Sequence, residues 1–199
     1  MQETQAGLDA LQEFCTENRL IINTDKTKLV SLNPRHNAHQ NQQLILQNRM
    51  IESVPTWKYL GFHVNNKGNV DTHISEIYKR CSYPVLFLRK LASYQGIRFA
   101  QLQQIGGALI ESLALYASEA WAAFTSWSHA SWDRNLIERV NFNICKAILQ
   151  VGRHTDNNGA QTEVGRYPLM FNIQRRMLKY WHSIRKRPGA IIERLINDE

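Results

Sequence analysis

Apolar positions recur about every 3.6 residues at the start of the chain, about every two in its middle, and about every 3.6 again from residue 69 onward. Leu8, Leu11 and Cys15, with Phe14 near the edge of their face, predict a helix over residues 3–18. Residues 20–23 and 28–32 read as strands joined by the polar turn Thr24-Asp25-Lys26-Thr27. Residues 33–43 are rich in Asn, Gln and His and contain Pro34, the composition of a solvated loop. Leu44-Ile45-Leu46 and Met50-Ile51 flank Gln47-Asn48-Arg49 as a hairpin, and residues 57–64 form the last strong strand signal, closed by Asn65-Asn66-Lys67-Gly68.

Beyond Gly68 the pattern is helical throughout. Asp71 or Thr72 suits an N-cap, and Ile74, Ile77, Tyr78, Cys81, Val85 and Leu88 make one stripe, with a kink expected at Pro84. Gln95-Gly96 is the best break. Leu102, Ile105, Leu109, Leu113 and Tyr116 mark a second helix, and Leu136, Val140, Ile144, Ala147 and Val151 mark a third, beginning after Ser131. Residues 152–159 read as a polar loop, and a last long helix starts near Pro168. The predicted class is α+β: a small antiparallel sheet with a helix over residues 1–68, then an all-α region over 69–199.

On that last helix Ile173, Met177, Trp181 and Ile184 share one face, while Arg175, Lys179, His182 and Lys186 share nearly the opposite one. Arg176, Arg185, Arg187 and Arg194 add charge nearby, and few acids interrupt the segment before Glu193. Such a face either tracks phosphates or is simply solvated; a membrane-surface helix is a weaker alternative, because the core needs the apolar face. The whole chain of 199 residues carries a formal net charge of +7, from 24 Lys+Arg against 17 Asp+Glu. That balance favours polyanionic partners, nucleic acid above all, against the plainer reading of a basic surface that aids solubility.

Other chemistry finds little support. Cys15, Cys81 and Cys145 are widely spaced and sit in apolar patterns, so buried free thiols in a reducing compartment are expected. His36 and His39 have metal-like spacing but lie in a polar loop without a nearby Cys or acid. His63, His73 and His154 have no evident catalytic neighbours. No Ser-His-Asp set, P-loop, dinucleotide fingerprint, signal peptide or membrane span is visible. An intracellular protein, cytoplasmic or nuclear, is expected; Arg185-Lys186-Arg187 is too short to serve as a clear nuclear signal.

Five segments, in order and at suitable spacing, resemble the end of the palm and the following helical region of reverse transcriptases from non-LTR (LINE-type) retrotransposons. Leu8-Asp9-Ala10-Leu11-Gln12-Glu13-Phe14-Cys15 resembles the helix after the catalytic hairpin. Residues 20–28 resemble the fourth palm motif, and Trp57-Lys58-Tyr59-Leu60-Gly61-Phe62 resembles the fifth, the primer grip. Tyr116-Ala117-Ser118-Glu119-Ala120-Trp121 is similar to a Tyr-Gly-x-Glu-x-Trp stretch, with Ala117 in place of the glycine, and Glu163-Val164-Gly165-Arg166-Tyr167-Pro168-Leu169 is similar to Glu-Leu-Gly-Arg-x-Pro-Leu. The resemblance implies RNA-directed DNA polymerase ancestry, a thumb-like role for the helical region, and a truncated protein whose Tyr-x-Asp-Asp metal box would lie upstream of Met1.

Two-metal chemistry needs clustered carboxylates. Asp9, Asp25, Asp71, Asp133 and Asp156 are isolated, and Asp198-Glu199 is a chain-end pair. No catalytic residue and no cofactor are therefore expected for this chain alone; Mg²⁺ would belong to the full-length family enzyme. By resemblance Lys26 matches a lysine near the triphosphate, against the plainer reading of a hydrated turn. Lys28 accompanies it in the same motif. Lys58 and Gly61 are the grip positions that could meet a phosphate, while Trp57 and Tyr59, with Leu60, read more simply as core. The expected partners are RNA or an RNA–DNA duplex, and a protein through the exposed palm edge. The alternatives are an inactive remnant, a helical protein-interaction module, or the tail of a longer polymerase.

Overall fold

The computed structural model describes residues 2–32, 43–124, 132 and 134–186. Ser131, Asp133, residues 33–42 with Pro34, His36 and His39, where a loop is expected, and Arg187, Glu193, Arg194, Asp198 and Glu199 lie outside the described residues. The fold is mixed α+β and divides into two compact units, Met1–Thr72 and His73–Glu199.

In the first unit, helix α1 (Gln2–Glu17) ends where Arg19 turns left-handed at φ 55° and the Leu20 amide donates to the Cys15 carbonyl. Residues 20–23 join no ladder among the described residues, so the expected strand there is not formed; Ile21 is 94% exposed. Asn23 instead caps a short 3-10 turn, Thr24–Lys26, by accepting from the Lys26 amide at 3.0 Å. The second expected strand shrinks to β1 (Lys28–Leu29), which pairs in parallel with β4 (Glu52–Ser53). The sheet is thus not one antiparallel layer. It is that parallel pair plus two hairpins, β2 (Ile45–Leu46) with β3 (Arg49–Met50), and β5 (Thr56–Tyr59) with β6 (Phe62–Asn65).

Both hairpins close through two residues of positive φ, the twist that suits right-handed strands. Gln47 (51°) and Asn48 (58°) close the first, so Arg49 belongs to the strand and not to the loop. Leu60 (47°) and Gly61 (86°) close the second, which splits the single strand expected over 57–64. The Gln5 amide group bonds the Ile45 N–H and C=O at 3.0 and 2.9 Å, so α1 covers the backbone edge of the first hairpin above buried Leu44 and Leu46.

In the second unit, α2 (Asp71–Ala92) runs through Pro84 and buries Ile74, Ile77, Cys81 and Leu88. α3 (Phe99–Ile105) continues into a π-helical turn, Gly106–Glu111, before α4 (Ser112–Ala114). A π-turn inserts one residue and so advances the buried face by one position. The stripe expected at Leu109, Leu113 and Tyr116 is accordingly exposed, and Gly106, Ile110, Ala114 and Leu115 are buried in its place. A Cβ on Gly106 would lie 3.0 Å from Ile144 Cγ2 and 3.4 Å from Leu88 Cδ2, so the glycine permits this close crossing. α5 (Ser118–Trp121) follows, and α6 (Leu136–Ile148) forms the centre, with Ile137, Val140, Ile144 and Ala147 each at most 1% exposed. α7 (Asn157–Val164) occupies part of the expected polar loop. Only Ala160, Gln161 and Val164 are buried along it, too few to make a stripe, although Asp156 and Gly165 (φ 72°) cap its ends. α8 (Leu169–Arg185) begins after Pro168 as expected.

Cys15, Cys81 and Cys145 are free and buried, and burial pushes the Cys81 and Cys145 thiols up to about 11, so both stay protonated at neutral pH.

Ala117 sits at φ 52° and ψ 25° at the start of α5, a conformation that costs an L-residue about 1–2 kcal/mol and a glycine little. Ala117→Gly is expected to raise stability by about 1 kcal/mol in urea melts. An unchanged or lowered midpoint would show that the alanine is not strained there.

Candidate nucleic-acid interface

The sequence-predicted cations fall into a group in each unit. In the first, Lys26 lies exposed on the 3-10 turn. Lys28 is more deeply engaged: its Nζ is 2.6 Å from Glu52 Oε2 and 5.7 Å from the centre of the Trp57 ring, and only 15% of its side chain is exposed. The ion pair follows from strand register, because Lys28 and Glu52 are direct partners across the parallel ladder. It ties β1, β4 and β5 together, so Lys28 meets a phosphate only in competition with Glu52.

Lys58 is exposed on β5, opposite His63. Gly61 takes the second left-handed turn position, which a side chain disfavours. Trp57 is half-buried, but Tyr59 and Leu60 are 65% and 76% exposed, against the expectation that they pack in a core. The turn at Leu60-Gly61 is the reason. It places Leu60 in the turn and Tyr59 beside it, at the exposed end of the hairpin.

In the second unit, α8 carries the basic face. Arg175, Lys179, His182 and Lys186, the last capping the helix, are all exposed, and none pairs with a described carboxylate. Steps of four, three and four residues hold them within an arc of about 60° and along about 16 Å of helix. Arg176 is engaged structurally instead, donating from Nη1 to the Leu115 carbonyl at 3.1 Å.

The opposite face of α8 is fully covered only at its start, and Ile184 near its end is half-buried. Ile173 is fully buried and Met177 half-buried, but Trp181, expected on the buried stripe, is 45% exposed, with the Arg185 guanidinium 5.5 Å over its ring. Tyr180 is 49% exposed. Exposed rings among cations can stack bases. The run Lys179-Tyr180-Trp181-His182, two rings flanked by cations, is the signal that could have marked these residues as contact candidates; apolar spacing assigns Trp181 to the buried stripe instead and gives Tyr180 no role.

The remaining polar residues of this unit hold the fold. The buried Glu138 carboxylate accepts from Trp132 Nε1 (2.6 Å), Asn141 Nδ2 (2.8 Å), Gln161 Nε2 (3.2 Å) and the Leu169 amide (2.8 Å). Arg166 pairs with Glu111 at 2.7 Å and donates to Asn141 Oδ1 at 2.9 Å. The segment Gly165-Arg166-Tyr167-Pro168-Leu169 is therefore a joint between α6, α7 and α8. It caps one helix, starts the next and is bonded to the third.

Among the described residues no group of three or more His, Cys, Asp or Glu side chains is placed to hold a metal, and no helix is long and apolar enough to cross a membrane. No protein-family model, curated protein or solved structure matches the chain.

Proposed function

We propose that this chain is the palm-end and thumb-like part of a LINE-type reverse transcriptase and that it holds RNA or an RNA–DNA duplex through phosphate contacts, without reading sequence. The observation that carries the binding role is the stripe Arg175, Lys179, His182 and Lys186, exposed and without a described counter-ion on one face of α8. A cation already paired releases little on meeting a phosphate, whereas an open one exchanges directly with condensed counterions. Support for the ancestry is local. Ala117 is left-handed at the position where the resembled motif has glycine, and Gly165 is left-handed where both have it.

The test is fluorescence anisotropy with an RNA–DNA duplex across a salt series. Wild-type affinity should fall steeply with salt. Arg175→Gln, Lys179→Gln and Lys186→Gln together should weaken binding and reduce the log–log salt slope by about two to three. A triple variant that binds with the wild-type slope removes the α8 stripe from the interface.

A second reading is favoured by apolar exposure in the first unit: Leu20 (55%), Ile21 (94%), Met50 (65%) and Leu60 (76%). Such surface suits a protein partner at the palm edge, or the remainder of a longer polymerase. A well-folded chain that shows no salt-dependent duplex binding would favour that reading, with the helical unit serving protein interaction or nothing selected.

A further inference from the structure

A cleft of about 260 Å³ lies between α2 and α6 against the turn at residues 151–153, and it shares no residue with the α8 stripe. Its apolar lining is Val85 and Leu86 from α2 and Val140 from α6, with Tyr78, whose ring also has the Arg139 guanidinium 5.5 Å from its centre. Its charged lining is Arg89, Lys146 and Arg153, and the lining includes no carboxylate.

The cations are fixed by a single turn. Arg89 Nη1 donates to the Val151 carbonyl and Lys146 Nζ to the Arg153 carbonyl, each at 2.9 Å. Arg153 is held by its own neighbour, its Nε donating to His154 Nε2 at 3.0 Å. Lys146 is the decisive group. It is only 5% exposed, its ammonium has three donors, and that carbonyl is its one hydrogen-bond acceptor among the described residues. A buried cation without a counter-charge is costly, and two guanidinium groups on the same rim add to the positive potential. An anion entering the cleft relieves both. The volume lies just below the usual range for small-ligand sites, and a flat group has apolar side chains to lie on.

We infer that this cleft binds a phosphate monoester carried on a flat apolar body, of about mononucleotide size, with the phosphate on Lys146, Arg153 and Arg89 and the body against Tyr78, Val85 and Leu86. The inference is independent of duplex binding on α8.

Calorimetric titration of the full chain with AMP, inorganic phosphate and adenosine tests it. AMP should bind about tenfold or more tighter than either fragment, because only AMP uses both the charged and the apolar lining. Arg153→Gln, at an exposed position whose loss leaves the core intact, should weaken AMP about tenfold, and Lys146→Met should weaken it further. The α8 triple variant should bind AMP as the wild type does. Absence of AMP binding, phosphate binding as tightly as AMP, or an Arg153→Gln chain with wild-type AMP affinity would each overturn the assignment. Should Lys146→Met fail to fold, the Arg153→Gln result decides alone.

Discussion

Replacing Glu138 with alanine is expected to cost the helical unit about 4–5 kcal/mol, enough to leave it largely unfolded under mild denaturation. The carboxylate is 1% exposed and takes four donors from four places: Trp132, Asn141 on its own helix, Gln161 on α7, and the first amide of α8. Truncation removes no single contact but the acceptor that four donors share. Each buried donor left unsatisfied costs about 1–3 kcal/mol, and water entering the small void would recover part of that. Glu138→Gln is informative because it keeps the volume and turns one acceptor oxygen into a donor, which then faces the two donors that oxygen served. It should cost less than alanine but still more than about 2 kcal/mol. Urea unfolding of both variants decides; a loss below about 1 kcal/mol for alanine would show that the four bonds contribute little net stability.

Glu138 also shows why some of the fold was legible in the sequence and some was not. The stripes of α2 and α6 follow from local spacing, and Ile74, Ile77, Cys81, Leu88, Val140, Ile144 and Ala147 are buried as that spacing predicts. Nothing local marks Glu138 as internal. It lies between Ile137 and Arg139 on a helix, and its partners at Gln161 and Leu169 are distant in sequence. The ion pairs of Glu111 and Lys28 escaped prediction for the same reason, since their partners Arg166 and Glu52 are met only through the fold. The stripe after Ile105 misled because a periodic reading assumes a constant turn, and the π-turn at Gly106–Glu111 breaks that assumption by one residue. The basic face of α8 was legible because exposed charges answer to helix geometry alone. The Lys146 cleft was not, because its three cations lie on two helices and a turn.

Removing Arg166 should cost less than removing Glu138 and by a different route, the loss of an ion pair with Glu111, which a double-mutant cycle on that pair measures. The Arg166 and Glu111 side chains are 13% and 20% exposed, and Glu111 Oε1 also accepts from Asn172 Nδ2 at 2.7 Å, so the pair joins the π-turn to α8. Through its Nε bond to Asn141, Arg166 reaches the Glu138 cluster as well. Arg166→Met leaves Glu111 partly buried with one neutral partner and should cost about 3 kcal/mol. Glu111→Gln leaves Arg166 with Asn141 and should cost about 2 kcal/mol, with the residual exposure moderating both values. If the ion pair is the main loss, the double variant is about 1–2 kcal/mol more stable than the sum of the singles predicts. Strict additivity would mean instead that each residue acts through its own amide partner, Asn141 or Asn172. The conserved volume of Met keeps packing out of the comparison, so the cycle reports the pairing across the joint that orients α8 and its basic face.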